Sequence, residues 1–150
     1  MKHQVGNIID LKQGVILQQV NALGRMNSGV AKDIREKWPA VWDAYHRLDQ
    51  VDGLGLGGVH TILVEPGLWV VNIVGQHDYG RDGRKYTSYD ALDEALVRIA
   101  GWLDFEDISR SDVQHPLLGA GLGGGHWPVI REIITHRIGP DTVLWTLPTA

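Results

Sequence analysis

The sequence predicts an α/β fold, a mostly buried sheet covered by helices on both faces. Three observations lead there. Short apolar, β-branched runs alternate with amphipathic helical stretches along the chain; two glycine-bearing loops run from a strand into a helix; and 150 residues suffice for one well-buried core. Gln4 to Ile9 and Val15 to Val20 read as strands, because both are apolar and bounded by glycine. From Ser28 the pattern turns helical, with Val30, Ile34 and Trp38 on one face, and Pro39 ends that helix or starts the next. Val41, Trp42 and Tyr45 then mark another apolar face before a glycine-rich connector at 49–58.

Val59 to Glu65 and Leu68 to Val74 predict a hairpin turned at Pro66-Gly67. A polar loop at 76–86 follows, and Thr87 with Asp90 three positions on resembles a capping box that opens a helix. That helix carries the stripe Tyr89, Leu92, Leu96, Ile99 and Leu103. Val113 to Leu118 is expected as a strand, residues 119–125 as a loop, Trp127 to Arg137 as a helix with Pro128 in its first turn, and Thr142 to Leu147 as a last strand. In such a fold ligands collect at the carboxyl ends of strands, here the loops after Val20, Val74 and Leu118.

Composition narrows the function. The sequence has no cysteine, which excludes disulfides, thiolate metal sites and a cysteine nucleophile. A formal net charge of -4 argues against a surface that tracks long nucleic acid. No apolar run approaches the ~20 residues of a membrane span, and the first residues lack the pattern of a secretory signal. No membrane partner and a cytoplasmic location are therefore expected. His3, His46, His60, His115 and His136 show no two-on-one-face spacing, so neither a metal nor a cofactor is expected. The six tryptophans fall mostly on apolar faces and read as core.

The segment Gly119-Ala120-Gly121-Leu122-Gly123-Gly124-Gly125 runs from a strand into a helix with almost no side chain in the way. Successive main-chain N–H groups and the positive end of a helix can cradle a phosphate or diphosphate there; the plain alternative is a connector. Gly119, Gly121 and Gly124 satisfy the dinucleotide pattern G-x-G-x-x-G, but the following strand and its acidic residue do not follow as that unit requires. A triphosphate-hydrolysing loop fails as well, because His126-Trp127 occupies the place of its lysine and hydroxyl residue. The loop from Asn21 to Ala31 also joins a strand to a helix, and either clamps a diphosphate from the other side or is a surface turn capped by Ser28.

Taken in order, Val5-Gly6-Asn7-Ile8-Ile9, the run from Val20-Asn21 to Gly29-Val30-Ala31, Pro116-Leu117-Leu118 with the glycine loop, and Trp127 resemble the signature of the macro domains. The resemblance extends over nearly the whole chain, to Val143-Leu144-Trp145-Thr146-Leu147. It is to small stand-alone macro domains, among them ADP-ribose-1''-phosphate phosphatases, terminal ADP-ribose glycohydrolases and related bacterial and phage proteins. It implies a three-layer α/β/α fold with a mixed, mostly parallel central sheet, with residues 1–150 as a single macro domain and ADP-ribose in a cleft across the sheet's edge. By that resemblance Asn7 and Ile8 would face the adenine, where many relatives carry aspartate in place of Asn7. Asparagine still bonds an adenine amino group, without the help of charge. Asn21 with Ser28, Gly29 and Val30 would sit near the distal ribose and diphosphate. Gly119, Ala120, Gly121, Leu122, Gly123, Gly124 and Gly125 would wrap the diphosphate from the other side.

The related glycohydrolases use a lysine after the fourth strand and an aspartate in the glycine loop. This sequence has Gln76 and Gly123 at those places, and neither is a nucleophile or a proton shuttle. His126 beside the glycine loop, and His77, Asp78 and Asp82 after the preceding strand, are the available acids and bases; His126 and Asp78 are the catalytic candidates. Each has an ordinary alternative, His126 as a solvated helix-start residue and the aspartates as partners of Arg81 and Arg84 in a solvated loop. Residues 76–86, dense in polar and aromatic groups, are expected to form a flap over the ligand. The implied function is binding of ADP-ribose or ADP-ribose-1''-phosphate with hydrolysis, as a phosphatase or a mono-ADP-ribosyl hydrolase, the modified partner being a protein or a nucleic-acid end. A non-catalytic reader or sequestering protein is the alternative, and an NAD-preferring dinucleotide module a third.

Overall fold

The computed structural model describes residues 1–26, 29–51, 53–78, 84–121 and 123–149. Six strands form one sheet: β1 (Lys2–Val5), β2 (Gly14–Asn21), β3 (Val59–Glu65), β4 (Leu68–Gln76), β5 (Val113–His115) and β6 (Val143–Thr146), in the order β1-β6-β5-β2-β4-β3. Every pairing is parallel except β3 with β4, the predicted hairpin. The sheet is thus mixed and mostly parallel, as expected. Four helices cover it: α1 (Gly29–Lys37), α2 (Pro39–Gln50), α3 (Tyr89–Glu106) and α4 (Trp127–Arg137).

Strand β2 is buried on both faces, and its alternating side chains divide the core in two. Val15 and Leu17 pack with Val71, Ile73 and the apolar faces of α3 and α4. Ile16 and Val20 pack with Val70, Val74 and the Ile34, Trp38, Val41 and Tyr45 face of α1 and α2. Three layers follow from that division, since each face of an apolar strand needs its own cover. Among the described residues no helix is long and apolar enough to cross a membrane.

Several boundaries differ from the sequence reading, each for a local reason. The first strand ends at Val5 rather than Ile9: Asn7 Oδ1 accepts the Ile9 N–H at 3.2 Å and caps a short 3-10 turn over Ile8–Asp10. The fifth strand stops at His115 rather than Leu118, because Pro116 brings no N–H to the ladder and its carbonyl accepts from Leu118 N in a turn. Of the two alternatives for Pro39 the second holds: it starts α2 from the first turn, α1 having ended at Lys37. The cap of α3 is Ser88, whose hydroxyl accepts the Ala91 N–H at 3.2 Å, and not Thr87. The tryptophans belong to the core as expected: Trp38 is buried, the other five are half-buried and packed against the two core clusters, and Arg35 stacks over Trp42 at 3.7 Å.

His115 lies fully buried at the end of β5. Its Nδ1 sits 2.9 Å from the Pro116 carbonyl, which can only accept, so Nδ1 carries the proton and Nε2 accepts from the Thr142 hydroxyl at 3.1 Å. Burial lowers this imidazole from 6.5 to about 4, against a smaller upward pull from the Pro116 bond. Between these values the unfolded chain binds a proton that the folded chain does not, so stability falls as pH drops from 6.5 towards 4 and is recovered above 6.5. Urea unfolding of the wild type at pH 7 and pH 4 should show this loss, and His115→Gln should lack up to roughly 3 kcal/mol of it.

Candidate functional site

The sheet order contains a switch point. From β2 the chain turns through α1 and α2 to β3 on one side; from its neighbour β5 it turns through α4 to β6 on the other. The loops that leave β2 and β5 therefore diverge over opposite faces, which opens a crevice at their carboxyl ends. Both glycine-bearing loops singled out in the sequence border it.

Main-chain bonds tie the loops of this rim together. Ala22 N donates to Gln76 O at 2.9 Å and to His77 O at 3.2 Å, which fastens the loop after β2 to the end of β4. Tyr86 N and Thr87 N both donate to Gly123 O, at 2.7 and 3.0 Å, which fastens the segment before α3 to the glycine loop. The glycine loop folds on itself through Gly125 N to Gly119 O at 2.9 Å. Gly124 shows why that residue type is required: its φ is +70°, and a Cβ there would lie 2.4 Å from Arg84 O. Tyr89 Oη accepts the His126 N–H at 2.9 Å and so sets the entry to α4.

The loop after β2 is shaped by one amide and one phenol. Asn21 Oδ1 accepts from Leu23 N and Arg25 N, at 3.0 and 3.2 Å, while Nδ2 donates to Arg25 O at 2.9 Å. The Tyr45 hydroxyl reaches up from α2, shares its hydrogen between the main-chain O (2.5 Å) and Oδ1 (3.0 Å) of Asn21, and accepts from Arg25 N at 3.0 Å. Burial pushes this phenol well above its ordinary value, so it stays a donor. The Asn21 side chain is thus engaged inside its own loop, and it acts on the crevice through the loop's shape.

Asn7 is half-buried at the end of β1 and Ile8 is buried in the core on the α1–α2 side. Gly29 and Val30 open α1, with Gly29 exposed. Gln76 ends β4; its Oε1 accepts from Gln19 Nε2 and its Nε2 donates to Asp78 O, both at 2.7 Å. Gly119, Ala120 and Gly125 are half-buried, Gly121 and Gly124 exposed, and Gly123 buried. His126 is exposed at the start of α4, and its imidazole does not cap the helix. Asp78 and His77 are exposed just past β4. Ser28, Leu122, Arg81 and Asp82 lie outside the described residues, as does the middle of the expected flap. At its far end Arg84 stacks over Tyr86 and Lys85 over Tyr89, 5.4 and 4.3 Å from the ring centres, which places cations on the rim.

Sequence reasoning missed Gln19, Tyr45, Thr87 and Tyr89 as parts of this site. The adjacent glutamines Gln18 and Gln19 inside an apolar strand were the signal for the first; nothing in the pattern marked the other three.

No family model matches the sequence. A DNA ADP-ribosyl glycohydrolase of Thermus aquaticus is 22% identical over 137 residues, covering 89% of this chain and 36% of that protein, so the chain spans little more than a third of its curated relative. A Bacteroides thetaiotaomicron protein of unknown function superposes with a TM-score of 0.86 at 26% identity, over 98% of this chain and 97% of that one. A macrodomain protein from Streptomyces coelicolor gives 0.79 at 27%, over 97% of each chain. Thermosipho africanus DarTG, solved in complex with ADP-ribose, gives 0.71 at 18%, over 91% of this chain and 38% of that one.

Tyr45→Phe removes one hydroxyl, takes the donor from Asn21 O and leaves Arg25 N with the longer bond to Asn21 Oδ1. The substitution should cost about 1–3 kcal/mol in urea unfolding and raise amide exchange across residues 22–26.

Proposed function

The chain is a macro domain by fold, and from that premise we infer that it binds ADP-ribose or a close derivative in the crevice between β2 and β5 and hydrolyses a bond to it. The observation that carries this reading is the rim itself, where a glycine loop running into α4 and a second loop running into α1 are bonded into one surface over the switch point. Such a surface offers main-chain N–H groups and helix ends to a diphosphate, with Arg84 and Lys85 nearby as cations. In this reading Gly119 to Gly125 wrap the diphosphate, Gly29 and Val30 face it from the other side, and Asn7 and Ile8 flank the adenine. The Thermosipho protein's bound ADP-ribose and the Thermus protein's glycohydrolase activity support the ligand and the reaction class.

Catalysis falls to groups other than the side chain at 76. Gln76 is a neutral amide whose two ends are already bonded, to Gln19 and to Asp78 O. Water is then the nucleophile: its oxygen bonds to the phosphorus of a 1''-phosphate, or to the anomeric carbon of the distal ribose. The leaving oxygen departs with the bonding pair and takes up a proton, and the attacking water gives one up. In this reading His126 and Asp78 move those protons, and the loop amides hold the phosphates still. The second reading, a non-catalytic binder, rests on one observation: Gln76 and Gly123 stand where the resembling glycohydrolases carry lysine and aspartate.

Calorimetric titration with ADP-ribose, and with NAD and AMP as controls, tests the ligand. Product analysis on ADP-ribose-1''-phosphate and on mono-ADP-ribosylated protein and DNA tests the reaction. ADP-ribose should bind more tightly than NAD or AMP; His126→Ala or Asp78→Ala should lower kcat by about 100-fold or more with affinity little changed. Binding without turnover on any of these substrates establishes the reader, and absence of ADP-ribose binding removes both readings.

A further inference from the structure

We propose that Thr87, seated on Gln19, is the positioning residue that sets the curvature of the glycine loop and restricts that loop to main-chain chemistry. The idea rests on the reading that this loop holds the diphosphate, and it adds which residues shape the loop. Thr87 is 2% exposed, a hydroxyl buried beneath the rim and not at its surface. Its Oγ1 donates to Gly119 O at 2.7 Å and accepts from Gln19 Nε2 at 2.9 Å, while its N–H donates to Gly123 O at 3.0 Å. One residue therefore grips both ends of the turn 119–123, and it is fixed by a side chain of the central strand. Gln19 Nε2 also donates to Gln76 Oε1 at 2.7 Å, so the same amide holds the end of β4 in place.

The glycines record this peg in their packing. A Cβ at Gly75 would lie 2.3 Å from Gln19 Oε1, and one at Gly119 would lie 2.7 Å from that atom and 2.9 Å from Thr87 Oγ1. A Cβ at Gly123 would lie 2.4 Å from Thr87 Oγ1 and 2.7 Å from Gly119 O. Three glycines, Gly75 in β4 and Gly119 and Gly123 in the glycine loop, thus close around one threonine–glutamine pair, without room for a methyl group. A side chain at 123 has no space between the Thr87 hydroxyl and the Gly119 carbonyl, so the loop meets its ligand through amides alone. Removing the hydroxyl leaves Gly119 O with only the Gly125 N–H and deprives a part-buried Gln19 N–H of its acceptor. The turn then loses the constraint that aims its N–H groups, at no cost to residues around the adenine end.

The test compares wild type, Thr87→Val, Thr87→Ser and Gln19→Met for thermal unfolding, amide exchange of residues 119–125 without ligand, and affinity for ADP-ribose and for adenosine. Thr87→Val should speed exchange at Gly125, weaken ADP-ribose by about tenfold or more and leave adenosine unchanged, whereas Thr87→Ser should stay within about threefold of wild type in all three. Gln19→Met should move exchange and ADP-ribose affinity in the same direction, and it decides the matter should Thr87→Val fail to fold. Wild-type exchange and ADP-ribose affinity in Thr87→Val would overturn the proposal, as would equal losses for ADP-ribose and adenosine, the mark of a general structural role. Should wild type itself not bind ADP-ribose, the functional reading fails, and loop exchange in Thr87→Val against Thr87→Ser still decides the positioning role.

Discussion

Strand β2 carries the molecule. Its parallel pairing with β4 on one side and β5 on the other places three carboxyl ends side by side, and its burial on both faces calls up the two helical layers. The crevice exists because the loops after β2 and β5 leave over opposite faces. Shift β2 by one residue and Val15, Leu17 and Gln19 exchange faces with Ile16, Gln18 and Val20, which would break both cores and remove Gln19 from beneath the glycine loop. The hydrophobic alternation that selects the register is therefore also what aims the polar peg of the site.

Polar groups inside this strand are of two kinds. Gln18 Nε2 donates to Asn72 Oδ1 at 2.7 Å within the α1–α2 side of the core, a buried pair that links neighbouring strands. Gln19, on the other face and one position closer to the rim, bonds Gln76 and Thr87 and so joins three parts of the site. A buried hydrogen bond contributes only about 1 kcal/mol net but is costly to leave half-made, which makes such pairs better at fixing geometry than at adding stability. Asn21 and Tyr45 work in the same way on the opposite lip. The loops of the site are thus held from below by side chains that need not touch a ligand.

Much of the architecture was legible in the pattern of residues. The alternation of strands and helices, the Pro66-Gly67 hairpin, the α3 stripe and both strand-to-helix loops all stand where the sequence placed them, because each is a local consequence of periodicity or turn chemistry. Boundaries moved where a single polar contact outweighed propensity. Asn7 ended the first strand by capping a turn, and Pro116 ended the fifth by lacking an N–H. Thr87 illustrates the limit best. Its spacing to Asp90 matches a capping box, yet its hydroxyl bonds Gly119 O, thirty-two positions away in sequence, and Ser88 takes over the cap.

By itself the sequence determined the α/β class, the layers and the two loops that border the crevice, since hydrophobic period and glycine placement act within a few residues of themselves. Only the tertiary structure decided which polar side chains serve those loops. Gln19, Gln76, Thr87 and Gly119 meet because β2, β4 and β5 lie side by side, and a hydrogen bond between residues far apart in sequence leaves no periodic trace in it. The same holds for the glycine at 123: the sequence shows a missing side chain, and only the packing shows that the Thr87 hydroxyl and the Gly119 carbonyl leave no space for one.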